Sequence, residues 1–251
     1  MIPARSFRFV VCTYNLWNDE RWADRQNPLR QFITLHQPDI LCLQELCLQS
    51  RNLLDQTLEN HQRVDDPFEG WKRQSNIYWN RSLFNLIEYG AEEVGILEQW
   101  RRLFWVRLQA NVTDTTTLLV ATAHYTWPGN SKERIDRINV RVEQALNTIK
   151  ILNQLEKPTT ALLFMGDFND HYLPLQVLQK AGLTNCFTAL GRNPQITRPV
   201  IPDAVHPPEV VDWILHRGSI QPMNCSTADF FLSGNIAPSD HKPLLATYRL
   251  T

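Results

Sequence analysis

The sequence predicts an α/β protein in which two antiparallel-rich sheets pack together with helices outside. The chain opens as strand, helix, strand, helix, and residues 75–110 then form a succession of short segments rich in aromatic and β-branched residues. Several apolar runs, among them Ala161-Leu162-Leu163-Phe164-Met165, are too continuous for strands with one wet face and must be covered on both sides.

Taken in order, Phe7 to Asn15 reads as the first strand. A helix follows, with Asn27 as N-cap, Pro28 as first helical residue, Pro38 as stop, and Leu29, Phe32, Ile33 and His36 on one face. Asp39 to Glu45 is a second buried strand, and Leu46 to Asn60 a second helix. SNIYWN, LFNLIEYG and LFWVRLQA then form an antiparallel meander, and Leu118 to Tyr125 a further strand that ends in His124. Asn130 to Glu133 resembles a capping box. It opens one long helix whose stripe, Ile135, Ile138, Val142, Ala145, Ile149 and Leu152, stops before Pro158. Beyond the Ala161–Met165 strand come a short helix near Leu173 to Ala181, a proline-rich loop from Asn185 to Glu209, and closing strands Val210–Leu215 and Leu244–Leu250. A loop that long is usually functional.

At 251 residues the chain suits one large domain, and no linker or repeat favours two. Lys+Arg 25 against Asp+Glu 26 leaves no global field toward nucleic acid or anionic lipid, although a local basic groove is compatible with it. The longest apolar runs fall far short of the roughly 20 residues a bilayer demands, so no membrane span is expected. Met1 to Asn15 reads as a strand and not as a cleavable signal, which makes cytoplasmic residence the default. The cysteine count, Cys 5, is odd, and Cys12 and Cys42 lie in apolar strands, against a disulfide framework; Cys42 and Cys47 lack the spacing of zinc ligands.

Function is legible in the polar residues at the exits of buried strands. Asn15, Glu45, His124, Asp167 with Asn169, Asp212, and Asp240 with His241 all stand in or just after apolar runs. Singly, Asn15 fits a turn, Glu45 a helix cap, and His124 a half-buried hydrogen-bonded histidine. Asp212, between Val210-Val211 and Trp213-Ile214-Leu215, needs a partner, because an unpaired carboxylate there costs several kcal/mol. A histidine held by a buried carboxylate is a common solution, and His241 is the candidate. Oxygen ligands such as Glu45, with Asn15 and Asp240, suit a hard cation that keeps its waters, as magnesium does on phosphate substrates. That inventory fits phosphoester hydrolysis.

The motifs TYNLW, QPDILCLQE, AHY, GDFND, VDW and SDHKPL, in this order, closely resemble the endonuclease/exonuclease/phosphatase superfamily of magnesium-dependent phosphohydrolases. The resemblance spans nearly the whole chain. It implies a single catalytic domain over residues 1–251, folded as a four-layer α/β/β/α sandwich of two mixed, largely antiparallel sheets flanked by helices. It also implies Mg, or Mn in its place, held mainly by Glu45 with Asn15 and Asp240. Asp167 and Asn169 then position the attacking water and the phosphate, His124 contacts phosphoryl oxygens, and His241 with Asp212 acts as general base or phosphate-stabilising group. Either Asp167 or His241 takes the proton. Arg141 and Gln144 match an Arg-x-x-Gln pattern of some branches, and a buried structural ion pair explains Arg141 as well as a substrate contact does. Tyr125 and Trp213 depart from the commoner residues without removing a catalytic group.

The substrate is less legible, since the superfamily acts on DNA, RNA tails, protein-linked DNA ends, sphingomyelin and inositol phosphates. A phosphodiesterase is favoured, with a nuclease as the particular case. The rivals are a phosphatase or phosphodiesterase of a small or lipid headgroup, and a noncatalytic binding module. Arg101, Arg102, Lys132, Arg134 and Arg137 supply either a basic groove or ordinary solvated charge. Trp17, Trp127 and the Thr197-Arg198-Pro199 loop border the expected cleft, where Trp127 would bind substrate by stacking unless core packing claims it.

Overall fold

The computed structural model describes residues 7–112, 117–157, 160–232 and 235–250. Its elements run β1 (Arg8–Asn15), α1 (Trp22–His36), β2 (Ile40–Gln44), α2 (Leu48–Thr57), β3 (His61–Arg63), α3 (Glu69–Arg73), β4 (Ser75–Asn80), β5 (Phe84–Glu92), β6 (Leu103–Ala110) and β7 (Thr117–His124). The second half adds α4 (Ser131–Asp136), α5 (Val140–Leu155), β8 (Thr160–Asp167), α6 (Leu173–Lys180), β9 (Thr184–Asn185), α7 (Cys186–Ala189), β10 (Asp212–Arg217), β11 (Ile220–Thr227) and β12 (Leu244–Leu250). One sheet has the order β11-β12-β1-β2-β4-β3 and the other β5-β6-β7-β8-β10-β9. Among the described residues, only β1 with β2 and β7 with β8 pair in parallel; the remaining pairs are antiparallel. The sandwich with flanking helices is therefore the observed architecture.

Period-two alternation builds three apolar layers. Phe9 and Val11 of β1, Leu118 and Val120 of β7, Leu163 and Met165 of β8, and Ile214 of β10 meet between the sheets. Their alternates face the helices: Cys12 and Tyr14 pack with Leu29 and Phe32 of α1, and Leu162 and Phe164 with Ala145 and Leu152 of α5. Burial on both faces explains why these strands read as continuous apolar runs. All five cysteines are buried and free, and among the described residues no helix is long and apolar enough to cross a membrane.

Several local expectations are corrected. Helix α1 begins at Trp22, with Arg21 in the left-handed region as N-cap, so Pro28 lies inside it and Asn27 is no cap. The long helix is two: Arg137 turns left-handed (φ 53) and separates α4 from α5, leaving Ile135 and Ile138 exposed. Asn130 does cap α4, its side chain accepting from Lys132 N, but Glu133 turns away from the capping box to pair with Arg141. Strands β3 and β11, helices α3 and α7, and the two-residue β9 carried too little periodicity to be foreseen. The Met1-to-Ser6 part of the amino-terminal reading, and Pro158, lie outside the described residues.

Candidate active site

The inter-sheet rows change chemistry at one end of the sandwich. On the side that carries Val11 in β1, the next positions are Thr13 and Asn15; on that of Val120 they are Thr122 and His124, and beyond Met165 stands Asp167. Gln44 joins the sheets there, donating from Nε2 to Thr122 Oγ1 at 2.9 Å. Across β7, β8 and β10, strand register sets His124 beside Asp167 and Asp167 beside Asp212. Glycine is required at 166, because a Cβ there would collide with the Ala123 carbonyl of β7. Just past the strands, Trp17, Asn18, Glu45 and Asn169 all hold positive φ (55, 47, 51 and 49). Such conformations cost about 1–3 kcal/mol each and cluster where geometry serves function.

The polar residues at the strand exits, from Asn15 to His241, converge on this end. His241 Nδ1 lies 2.8 Å from Asp212 Oδ2, with both side chains buried. His241 Nε2 is 3.8 Å, and His124 Nε2 3.3 Å, from Asp167 Oδ2. The same oxygen accepts from Asn15 Nδ2 at 2.9 Å, while Asp167 Oδ1 accepts from the Asn169 amide at 2.9 Å. Asn15 Nδ2 also reaches Glu45 Oε1 at 3.4 Å from beneath the floor. Glu45, His124, Trp127, Asp167, Asn169, Asp240 and His241 line one open cleft of about 1080 Å³. Asp212 stands behind His241, and Trp127, 50% exposed, belongs to the cleft wall and not to the core.

Burial and charge separate the titrating groups. Desolvation, followed by the Asp212 charge, pushes Asp167 up to about 7 against the opposing pull of His241. For His241, burial alone would lower the pKa, but the charge and hydrogen bond of Asp212 outweigh it and raise the group to about 10. His124 is held well below the usual histidine value by burial and by the nearby Arg101 and His241. A cationic and a neutral imidazole thus flank one carboxyl group.

Two donor sets offer themselves to a cation. Asp167, Asp212 and His241 bring ligand atoms within 4.8 Å of one another, but Asp212 Oδ2 is already committed to His241. The Glu45 carboxylate is open to the cleft and lacks a close cationic partner, with Arg101 Nη2 and His124 Nδ1 each 3.9 Å away. Asp240 is held only loosely, by Ser239 Oγ at 3.4 Å and Arg198 Nε at 3.5 Å. Oxygen donors with spare lone pairs suit a hard divalent ion that keeps waters, so the Glu45 side offers the better-suited donors.

Supporting residues were not all legible. Arg25 is buried inside α1 and donates to the carbonyls of Leu16, Trp17, Asn18, Glu20 and Pro238, tying the loop after β1 to the SDH segment. A charged residue on an amphipathic helix gave no sign of this. Ser239 Oγ donates to Asn15 O and accepts from the His241 amide, and Thr197 Oγ1 accepts from the amides of Val211 and Asp212. Of the basic residues, Arg101, Arg134 and Arg198 line the cleft, whereas Arg102 pairs with Glu93. Arg141 is the buried ion-pair case, bonded to Glu133 at 2.6 and 2.8 Å and to Thr126 O.

Comparison with known proteins agrees with this geometry. A family model described as Endonuclease/Exonuclease/phosphatase family matches residues 12–241. No curated protein matches the chain in sequence. Among solved structures, TDP2 of D. rerio complexed with single strand DNA product superposes with a TM-score of 0.77 at 17% identity, over 96% of this chain and 98% of that one. An endonuclease/exonuclease/phosphatase family protein from Bacteroides thetaiotaomicron gives 0.76 at 17% identity, over 98% and 99%. The human Nocturnin catalytic domain with bound sulfate anion gives 0.73 at 18%, over 97% and 95%. At these identities the likeness is one of fold.

Proposed function

The chain belongs to the endonuclease/exonuclease/phosphatase family, whose members hydrolyse phosphoesters, and from that premise we propose that it is a magnesium-dependent phosphodiesterase, with a nuclease as the particular case. The observation that carries the reading is the meeting of the Asp212-held His241, Asp167 and the open Glu45 carboxylate at one cleft. The catalytic unit is the single domain spanning residues 1–251, and its five buried free cysteines accord with a reducing, cytoplasmic setting.

Asp167 is the base. Its Oδ2 faces the cleft between two imidazole Nε2 atoms, whereas His241 has Nδ1 engaged by Asp212 and presents Nε2–H as a donor. Water attacks phosphorus as the bond to the leaving oxygen breaks, its proton passing to Asp167. Cationic His241 and neutral His124 donate to phosphoryl oxygens as charge accumulates on them. Asn169, fixed through Nδ2 to Tyr125 O at 2.9 Å and through its amide to Asp167, orients the phosphate. Glu45, with Asn15 and Asp240, would hold magnesium, or manganese in its place, and the ion would supply Lewis-acid polarisation of a phosphoryl oxygen and neutralisation of charge on the leaving group.

A diester with substantial flanking groups suits the cleft's size, and Arg101, Arg134 and Arg198 along its walls suit a polyanion despite the net charge of -1. The complex of TDP2 with a single strand DNA product supports nucleic acid as the class. The test is a panel of nicked, abasic and single-stranded DNA, RNA, bis-p-nitrophenyl phosphate and inositol phosphates, each with magnesium and with chelator. Metal-dependent cleavage of the polynucleotides is expected. Turnover of inositol phosphates alone would transfer the assignment to a headgroup phosphatase.

A further inference from the structure

We propose that Trp127, seated on Gly129, is a preformed stacking platform for a planar aromatic ring carried by the substrate next to its scissile phosphate. This rests on the reading of the cleft as a phosphoester site. Trp127 follows His124 closely in the chain, stands in the same cleft wall, and is 50% exposed. Residues 127–130 form a turn closed by the Asn130 amide on Trp127 O at 3.1 Å, and the indole folds back over the turn. A Cβ at Gly129 would overlap the Cε3–Cζ3–Cη2 edge of the indole's six-membered ring, so the ring lies directly against bare backbone. Gly129 is not among the positive-φ glycines, so the need for glycine there is the space the indole occupies and not the backbone conformation.

The turn is anchored from below. Thr126 accepts from Gln144 Nε2 through Oγ1 (2.8 Å) and from Arg141 Nη1 through its carbonyl (2.9 Å), and its amide donates to Gln144 Oε1 (3.1 Å). Glu98 accepts from Thr126 Oγ1 at 2.9 Å and from Asn130 Nδ2 at 3.1 Å, clamping both ends of the Trp127 turn. The Arg-x-x-Gln pair of α5 thereby acquires a role: it positions the loop that carries the platform. An exposed indole carried on a turn anchored in this way offers an aromatic surface whose backbone needs little ordering on binding.

Titration calorimetry with magnesium present tests the platform, using thymidine 5′-monophosphate and phenyl phosphate as ring-bearing probes and ribose 5-phosphate and methyl phosphate as ringless ones. The wild-type protein should favour the ring by about 5- to 150-fold, the range of one stacked base. Trp127→Ala and Gly129→Ala should each collapse that ratio, Trp127→Phe should restore most of it, and Gly129→Ala should have no further effect in the Trp127→Ala background. Preference for thymidine over phenyl identifies the ring as a nucleobase, and equal preference an aryl ester. Ringless phosphates that bind as well as ring-bearing ones overturn the platform alone, as does a ring preference that survives either alanine variant. Failure of every phosphate to bind removes the anion site and overturns both readings.

Discussion

His241 Nδ1 and Asp212 Oδ2 stand 2.8 Å apart, both side chains buried, on segments 29 positions apart in the chain. The contact fixes the imidazole so that Nε2 points toward Asp167, and the carboxylate charge keeps the ring protonated. Asp212→Asn is therefore expected to lower kcat on the order of 10²- to 10⁴-fold with little change in KM. Hydrolysis of bis-p-nitrophenyl phosphate at full rate by a folded Asp212→Asn protein would exclude the pair from the mechanism.

The pH profile follows from the same geometry. A base works when deprotonated, so activity should rise with pH through Asp167, near 7 before metal binds. A cationic donor works when protonated, so activity should fall as pH passes His241, near 10. In Asp212→Asn the imidazole loses its raising partner, and the alkaline limb of kcat/KM should move toward lower pH. A limb that stays in place would detach it from His241.

Metal dependence is expected to trace to Glu45. Its carboxylate has no strong competing partner, so Glu45→Gln should weaken magnesium binding by about tenfold or more in a calorimetric titration, before any turnover is measured. Chelator should abolish hydrolysis in the wild-type protein. Unaltered magnesium affinity in Glu45→Gln would shift the ion toward the Asp167, Asp212 and His241 cluster.

Stability carries its own pH signature at a distance from the cleft. His216, in β10, contacts Tyr248 OH through Nδ1 at 3.2 Å, and burial lowers its pKa to about 4. The unfolded chain takes up the proton near 6.5 and the folded chain only near 4, so the stability from this group is present above 6.5 and is lost as pH falls toward 4. The urea midpoint should drop between pH 7.5 and 5 by less in His216→Gln than in the wild type. Equal drops would remove His216 from acid destabilisation.

What the sequence made legible follows the strength of each local signal. Continuous apolar runs bounded by polar tips made the central strands and the candidate site legible together, since a carboxylate such as Asp167 or Asp212 has few explanations inside an apolar run. Three-dimensional register, which aligns His124, Asp167 and Asp212 across neighbouring strands, follows from pairings that no single strand encodes. The break at Arg137 was hidden because Ile135 and Ile138 continue the spacing of α5 while facing solvent. Thr197 and Arg25 were obscure for the same reason: their partners are backbone groups, which leave no residue signature.

Arg25 is the sharpest consequence of that hidden backbone chemistry. Its guanidinium is buried, lies over the Trp17 ring at 5.0 Å, and donates its hydrogen bonds to carbonyls, those of Leu16, Trp17, Asn18 and Glu20 on one side and Pro238 on the other. A lysine carries the charge but has three donors and no planar fork, so Arg25→Lys leaves some carbonyls unsatisfied. The loss of stability should be about 2–3 kcal/mol by urea denaturation. Because those carbonyls flank Asn15 and Asp240, the variant should also lose roughly 10- to 100-fold in kcat at temperatures where it remains folded. A destabilised variant with unchanged kcat would show that the two loops keep their places without the guanidinium between them.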